Sequence, residues 1–337
     1  MKINKSPLVS IVTIIFNPIR NGRKKLLIQC LESVHDQSYD NIEHLIIDGG
    51  SNDGTLDLLK KYEKMGWVRY ISEKDNGIYD AMNKGTNLSK GKYVAFLNSD
   101  DYYHGRNGVK DSIMVLEKNN AVFSYAPVLM LVEKGASICE SHPHLKPNIK
   151  NVYHTMPFCH QTMFIRKDIL VKEGIFDSSF KSAGDYDLVL RLCLKNYSSV
   201  FINQTFVTFR LGGISDKNRD TSIMEVSKSY YKNYRSLCDF SRSDSKEIYR
   251  PSLDNYLKND IAIPLFLANK LKKNIYFNYE QYILDIENIR KKSFDLIEKQ
   301  LFNETLLSEI YSSRTWKLMN FIKLIYRIVT FKWIFSK

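Results

Sequence analysis

The sequence predicts an α/β fold, a mostly parallel sheet flanked by helices on both faces, followed by a helical C-terminal region. Three observations carry that expectation. Through the first 100 of 337 residues, apolar runs of strand length alternate with segments of helical spacing, the β-α-β-α-β-α-β order that a parallel sheet needs. Hydrophobic residues make up 44% of the chain and charged residues 26%, which is globular composition and excludes disordered and fibrous classes. Beyond about residue 216 the strand-like runs stop, and the chain becomes helical in pattern and rich in Lys and Tyr. The boundary is therefore placed there, giving units 1–215 and 216–337.

The run 9–16 is short, β-branched and apolar throughout, as a central strand covered on both faces is. Two lysines ahead of it mimic a secretory leader. No small-residue cleavage site follows, so the run reads as a strand and the protein is expected to stay in the cytosol. Residues 23–35 have helical spacing with Leu26, Leu27, Cys30, Leu31 and Val34 on one face. A strand at 43–47 ends in the turn-rich stretch 48–55. A helix at 55–65, a strand at 68–72, a helix at 78–88 and a strand at 92–97 follow. Further on, the pattern predicts a helix at 107–118 and strands at 121–125, 128–132 and 163–166. A Pro/His-rich loop covers 141–160, and a helix at 185–195 precedes strands near 199–209. No stretch of 18 uncharged apolar residues occurs, so no conventional membrane span is expected. The five cysteines are scattered without a CxxC pair. That signals neither a disulfide framework nor a zinc site.

Ligands bind open α/β sheets at the carboxyl ends of the strands, so the polar residues gathered there are the candidates. They are Thr13, Phe16 and Asn17 after the first strand, and Asp48, Gly49 and Gly50 after the second. Glu73, Lys74 and Asp75 follow the third strand; Asn98, Ser99, Asp100 and Asp101 follow the fourth. Adjacent carboxylates such as Asp100 and Asp101 can hold one hard divalent ion, Mg²⁺ or Mn²⁺, which completes its shell with phosphate oxygens. A nucleoside diphosphate is the natural co-ligand. A plain surface turn is the competing reading of this pair.

The segments Val9–Asn17, Ile46–Thr55, Glu73–Gly85 and Phe96–Asp101 together resemble, in order and spacing, the family 2 glycosyltransferases. The last is similar to their metal-binding segment, with Ser99 where many members carry Asp. The resemblance implies the two-lobed GT-A fold and a base pocket lined by Thr13, Phe16 and Asn17. Asp48 would accept from the base ring N–H, and Asp75 would close the same side. Asp100 would contact ribose or donor sugar, and Asp101 would ligate the metal. Asn83 and Lys84, on the helix after the third strand, are placed with the donor. Asp80 and Lys84 fit equally a solvated ion pair at i and i+4. The acceptor hydroxyl must lose a proton as it attacks, and by resemblance the base is Asp185 in Ala183–Leu188, with Gly184 where the family usually has Glu. His160 and Gln161 are similar to a pair beside the acceptor. Gly212 and Gly213 stand where some relatives carry a metal-binding His, so water is the expected substitute for a third ligand.

The resemblance implies an inverting, metal-dependent enzyme moving a sugar from a nucleotide-diphosphate donor, UDP-hexose or UDP-N-acetylhexosamine, to a saccharide hydroxyl. A sugar-phosphate nucleotidyltransferase would want a Gly-rich phosphate loop after the first strand, and 16–23 is poor in glycine. No GxGxxG follows a strand, against a dinucleotide-dependent oxidoreductase. A non-catalytic scaffold with a degenerate transferase domain is the remaining alternative. The net charge is +12, and the last 24 residues hold six Lys or Arg and no acid. Over 314–337, Leu318, Ile322, Ile325, Val329 and Trp333 form one helical stripe, with Arg314, Lys317, Lys323, Arg327 and Lys332 over much of the other side. Such a helix lies in an anionic membrane interface, which implies a lipid-linked acceptor at the inner face of the cytoplasmic membrane. Packing on the protein is the alternative. No nucleic-acid-binding motif accompanies the charge, so nucleic acid is not an expected partner.

Overall fold

The computed structural model describes residues 6–134, 137–141, 147, 149–153, 156–212, 219–237, 239 and 241–242. All structural statements concern these residues, and the basic helix expected at 314–337 lies outside them. The main sheet has seven strands in the order β10-β6-β9-β4-β1-β2-β3. Strands β1 (Val9–Ile15), β2 (Ile42–Asp48), β3 (Arg69–Ser72) and β4 (Tyr93–Phe96) are parallel to their neighbours among these four. Strand β9 (Phe164–Arg166) runs antiparallel to β4 and to β6 (Phe123–Tyr125), and β10 (Ser199–Phe201) is parallel to β6.

β1 is an interior strand buried along most of its length, with Val9, Ile11 and Ile15 on one face and Val12 on the other. Val9 and Ile11 join one core with Cys30, Val34, Tyr93 and Phe164. Ile15 joins another with Leu27, Leu31, Ile46 and Leu59. The helices α1 (Lys24–His35), α2 (Thr55–Lys64) and α3 (Ile78–Leu88) are the crossovers. α3 lies hard against the sheet: a Cβ on its Gly85 would come 2.4 Å from Val12 Cγ1. Only a residue without a side chain lets this helix approach so closely, and that approach brings its first turn to the carboxyl ends of the strands.

A smaller sheet has the order β5-β11-β7-β8, from Tyr102–Tyr103, Val207–Arg210, Leu129–Lys134 and Ser137–Ser141. β11 pairs antiparallel with β5, which carries the chain after Asp101 against Arg210. The helix α4 (Gly108–Asn119) falls where predicted, and α5 (Lys167–Lys172), β5 and β8 are additional. Two single-turn 3₁₀ segments, Ile149–Tyr153 and His160–Thr162, lie in the Pro/His-rich loop. All of these are too short to show a period. The helices α6 (Gly184–Leu194) and α7 (Arg219–Tyr234) pack together across the predicted boundary near 216. Tyr186 meets Tyr230 edge-on at 5.8 Å. The fully buried Asp187 carboxylate accepts from Arg191, Ser229, Lys232 and Asn233.

Candidate active site

The carboxyl ends of β1, β2 and β4 deliver most of the predicted residues to one edge of the sheet. Asp48 is fully buried. Its carboxylate accepts from Gly50 N (3.2 Å), Ser51 N (2.9 Å), Ser72 Oγ (2.6 Å) and Ser51 Oγ. Three of these donors are on Oδ2 and one on Oδ1, so Oδ1 keeps a lone pair for a further donor. Asp48 ties the 49–51 turn to β3. Asn17 is likewise buried: its N donates to Ser51 Oγ (2.7 Å) and its Oδ1 accepts from Asn52 N (3.0 Å). Thr13 is buried too, with its hydroxyl 2.9 Å from His44 Nε2. Burial drives the His44 imidazole down to about 3, so this internal pair is neutral. Thr13 and Asn17 are thus both hydrogen-bonded to neighbouring protein groups.

What remains at the surface is Phe16, 61% exposed, and the half-buried Asp75. A Cβ on Gly49 would come 2.5 Å from Asp75 Oδ2 and 3.4 Å from Phe16 Cδ2. An aromatic ring and a carboxylate thus converge on the bare backbone of Gly49. The ring can stack a heterocycle, and the carboxylate can accept from a ring N–H.

Asn83 and Lys84 do not join this group. Asn83 Nδ2 donates to Phe176 O (2.8 Å), and its Oδ1 accepts from Phe176 N (3.0 Å). Both ends of its amide are committed to one backbone. Lys84 Nζ binds Lys74 O (2.7 Å), Glu73 (3.1 Å) and Asp80 (3.6 Å). The ion-pair reading is the one the geometry takes, and Lys84 braces the turn that carries Asp75.

The acid pair follows β4. Asn98 O accepts from Asp101 N (3.1 Å) around half-buried Ser99. Asp100 pairs with Arg23 Nη1 at 2.8 Å, an arginine from the loop after β1 that sequence reasoning missed. Asp101 is buried, with Oδ2 accepting from Gln161 Nε2 (2.6 Å) and Oδ1 from Arg210 N (2.8 Å). Burial first, and the Asp100 charge second, push its carboxyl up to about 7 despite those bonds. Gln161, expected beside the acceptor, is fully buried and serves Asp101. A chain that holds two neighbouring carboxylates at this cost suits a hard cation, whose charge would offset the repulsion. Among the described residues no three His, Cys, Asp or Glu form a metal-binding group. The pair fits an ion that takes one or two carboxylates and fills its shell from substrate or water.

Asp185 lies in the first turn of α6. Its Oδ2 pairs with His160 Nδ1 at 3.1 Å, and its Oδ1 accepts from Tyr186 N (2.9 Å) and Tyr79 OH (3.2 Å). Burial would raise its carboxyl, but the His160 contact and the other bonds together hold it below the usual value. It is ionised at neutral pH. The turn ahead of it is gathered by Glu225 of α7, whose carboxylate accepts from the N–H groups of Lys181 (2.7 Å), Ser182 (2.8 Å) and Ala183 (3.0 Å). Nothing local marks a glutamate some 40 residues downstream as the clasp of this turn. Gly212 has φ +93°, and Gly213 lies outside the described residues.

Fold and site together define an α/β protein with a group of acids at the carboxyl ends of parallel strands. The family model described as "Glycosyl transferase family 2" matches residues 10–174, just under half of the chain, consistent with a glycosyltransferase of that family. An "uncharacterized glycosyltransferase" of Rickettsia felis is 28% identical over 284 residues, covering 82% of this chain and 44% of that protein. A "PGL/p-HBAD biosynthesis glycosyltransferase" of Mycobacterium bovis is 26% identical over 205 residues, covering 58% and 76%. This chain spans less than half the length of two Rickettsia relatives that it matches. In fold it is similar to S. aureus TarS 1–349 in complex with UDP-GlcNAc, with a TM-score of 0.54 and 16% identity over 86% of this chain and 92% of that one. It is also similar to the Pyrobaculum calidifontis mannosyltransferase PcManGT in complex with GDP-Man and Mn²⁺, with a TM-score of 0.53 and 12% identity over 99% and 89%. The GT-A architecture expected from the sequence is the one observed.

Proposed function

We propose that this protein is an inverting, metal-dependent glycosyltransferase that moves a sugar from a nucleotide-diphosphate donor to a hydroxyl of a lipid-linked saccharide. UDP-hexose or UDP-N-acetylhexosamine is the donor this reading names. One observation carries it: the adjacent residues His160 and Gln161 bind Asp185 and Asp101 respectively. A single dipeptide thereby ties an ionised carboxylate able to take a proton to the acid pair suited to a cation. Phe16 stacks the base and Asp75 accepts from its ring N–H, while Ser99 and Asp100 face ribose and donor sugar. Asp101, with Asp100, would hold Mn²⁺ or Mg²⁺; when bound, the ion supplies charge stabilisation to the departing diphosphate. Asp185 takes the acceptor proton, and His160 steadies the carboxylate from the other side. A positioned base contributes about 10²–10⁴-fold to such a step. The basic stretch 314–337 would dock the protein on the anionic inner face of the cytoplasmic membrane, where lipid-linked acceptors are.

A thermal-shift panel of UDP, GDP and dTDP with and without Mn²⁺ tests the reading on the wild type and on Asp101→Asn. Ligand at about 100 times its dissociation constant stabilises by about 2.7 kcal/mol, and each kcal/mol moves a chain of this size by about 2–4 °C. The expected outcome is a Mn²⁺-dependent shift with UDP that Asp101→Asn abolishes. No shift with any nucleotide would sink the transferase reading.

A further inference from the structure

We propose that Tyr79 is a positioning residue for the Asp185 carboxylate, its ring filling the space of a side chain at 184 and its hydroxyl fixing one carboxylate oxygen. The proposal rests on Asp185 being the base. Gly184 opens α6, and its backbone is not in the positive-φ region. Backbone conformation therefore does not call for glycine at 184, and its reason lies elsewhere. The reason is space. A Cβ there would come 2.8–2.9 Å from three atoms of the Tyr79 ring, closer than carbon atoms pack. The ring lies directly on the bare backbone of the turn that carries the base.

The ring is held from other directions too. It stacks on Phe176 at 5.5 Å, and Phe176 meets Phe96, the last residue of β4, edge-on at 5.1 Å. Asn83, one turn along α3 from Tyr79, clasps the Phe176 backbone through both its donor and its acceptor. This packing aims the phenol at Asp185 Oδ1, at 3.2 Å. Burial and the Asp185 charge both keep the phenol protonated, so toward the carboxylate it donates, while its oxygen accepts from the backbone N–H groups of Gly184 and Asp185. With Tyr186 N on the same oxygen and His160 on the other, the carboxylate plane is held. His160, Tyr79 and the Cys159 thiol, which burial keeps protonated, are the titratable groups that interact with it. α3 starts just after the turn bearing Asp75. One helix therefore links the proposed base-reading carboxylate to the proton acceptor.

Tyr79→Phe keeps the ring and removes only the hydroxyl. Two readouts test it: ¹³C-carboxyl titration of Asp185, assigned with Asp185→Asn, and Mn²⁺-dependent UDP release from UDP-N-acetylglucosamine with water as acceptor. Losing a donor to the ionised form raises a carboxyl. The expected result is an Asp185 titration raised by about half a unit and a kcat lowered about five- to tenfold, with KM within about twofold. Gly184→Ala removes no polar group but pushes the ring aside, and it should lower kcat similarly. An unchanged Asp185 titration in Tyr79→Phe, or an unchanged kcat, overturns the positioning role. The titration needs no turnover, so a wild type that never releases UDP would defeat the proposed function while the Tyr79 contact is still decided.

Discussion

At the scale of single residues, two aspartates at the same edge of the sheet sit in opposite surroundings, and burial is what separates them. Asp48 has four donors and no exposure, whereas Asp75 is half-buried beside an exposed ring. Asp48→Ala leaves the Ser51 and Ser72 hydroxyls and the N–H groups of Gly50 and Ser51 without their acceptor. Each unsatisfied buried group costs about 1–3 kcal/mol, so a fall in melting temperature of several degrees is expected by calorimetry. Asp75→Asn should leave the melting temperature within about a degree, yet weaken UDP binding about tenfold by calorimetric titration, one charged hydrogen bond being worth about 1.5–3 kcal/mol. The reverse pattern would give the base-reading role to Asp48. Both residues are visible in the sequence as strand-end acids. The number of donors around each is not, because Ser72 comes from the next strand and is brought there by sheet register.

At the scale of elements, α7 holds the loop and helix that carry Asp185, the proposed base. Glu225 collects three backbone N–H groups of residues 181–183. Lys232 reaches Asp177 at 2.7 Å and Asp187 at 3.2 Å. Glu225→Ala should destabilise by about 2–4 kcal/mol, since three donors lose a charged acceptor, and should lower kcat; a melting temperature equal to wild type would refute the clasp. The Asp177 carboxyl is held well below its usual range: burial opposes ionisation, but the Lys232 and Ser179 bonds outweigh it. Its folded pKa is thus below the unfolded value of about 3.9. The stabilisation it gives is full above that value and is lost as pH falls toward the folded value. The melting temperature of Asp177→Asn should lie below wild type at pH 6, by about 1 kcal/mol in stability, and the gap should close toward pH 2. A gap independent of pH would mean that packing, not charge, is what the variant loses. The helices and strands of the first 100 residues were legible because period and turn residues agree with one another. The two-residue β5 and six-residue α5 carry no period and exist through the neighbours they pair with or pack on.

At the scale of the whole molecule, the proposed membrane role rests on charge distribution along the chain. Replacing Arg314, Lys317, Lys323, Arg327 and Lys332 together by Gln should weaken binding to phosphatidylglycerol vesicles more than tenfold, at about 1 kcal/mol per basic residue near the surface. UDP binding should be unaffected. Unchanged sedimentation with vesicles would assign these charges to the protein's own packing. The parallel sheet and the placing of four polar segments at its carboxyl edge, the acid pair among them, were legible in the sequence alone. Hydrophobic period, turn chemistry and strand order are local properties, and local properties are written in consecutive residues. Tertiary structure decided what each of those polar residues bonds to. Thr13, Asn17, Asp48, Asn83, Lys84 and Gln161 are hydrogen-bonded to backbone or partner groups, while Phe16 and Asp75 stayed outside. It also brought Tyr79 and Glu225 to the Asp185 turn from 106 and 40 positions away. A hydrogen bond is satisfied by whatever donor or acceptor packing places within about 3 Å, and that choice is made only when the elements close on one another.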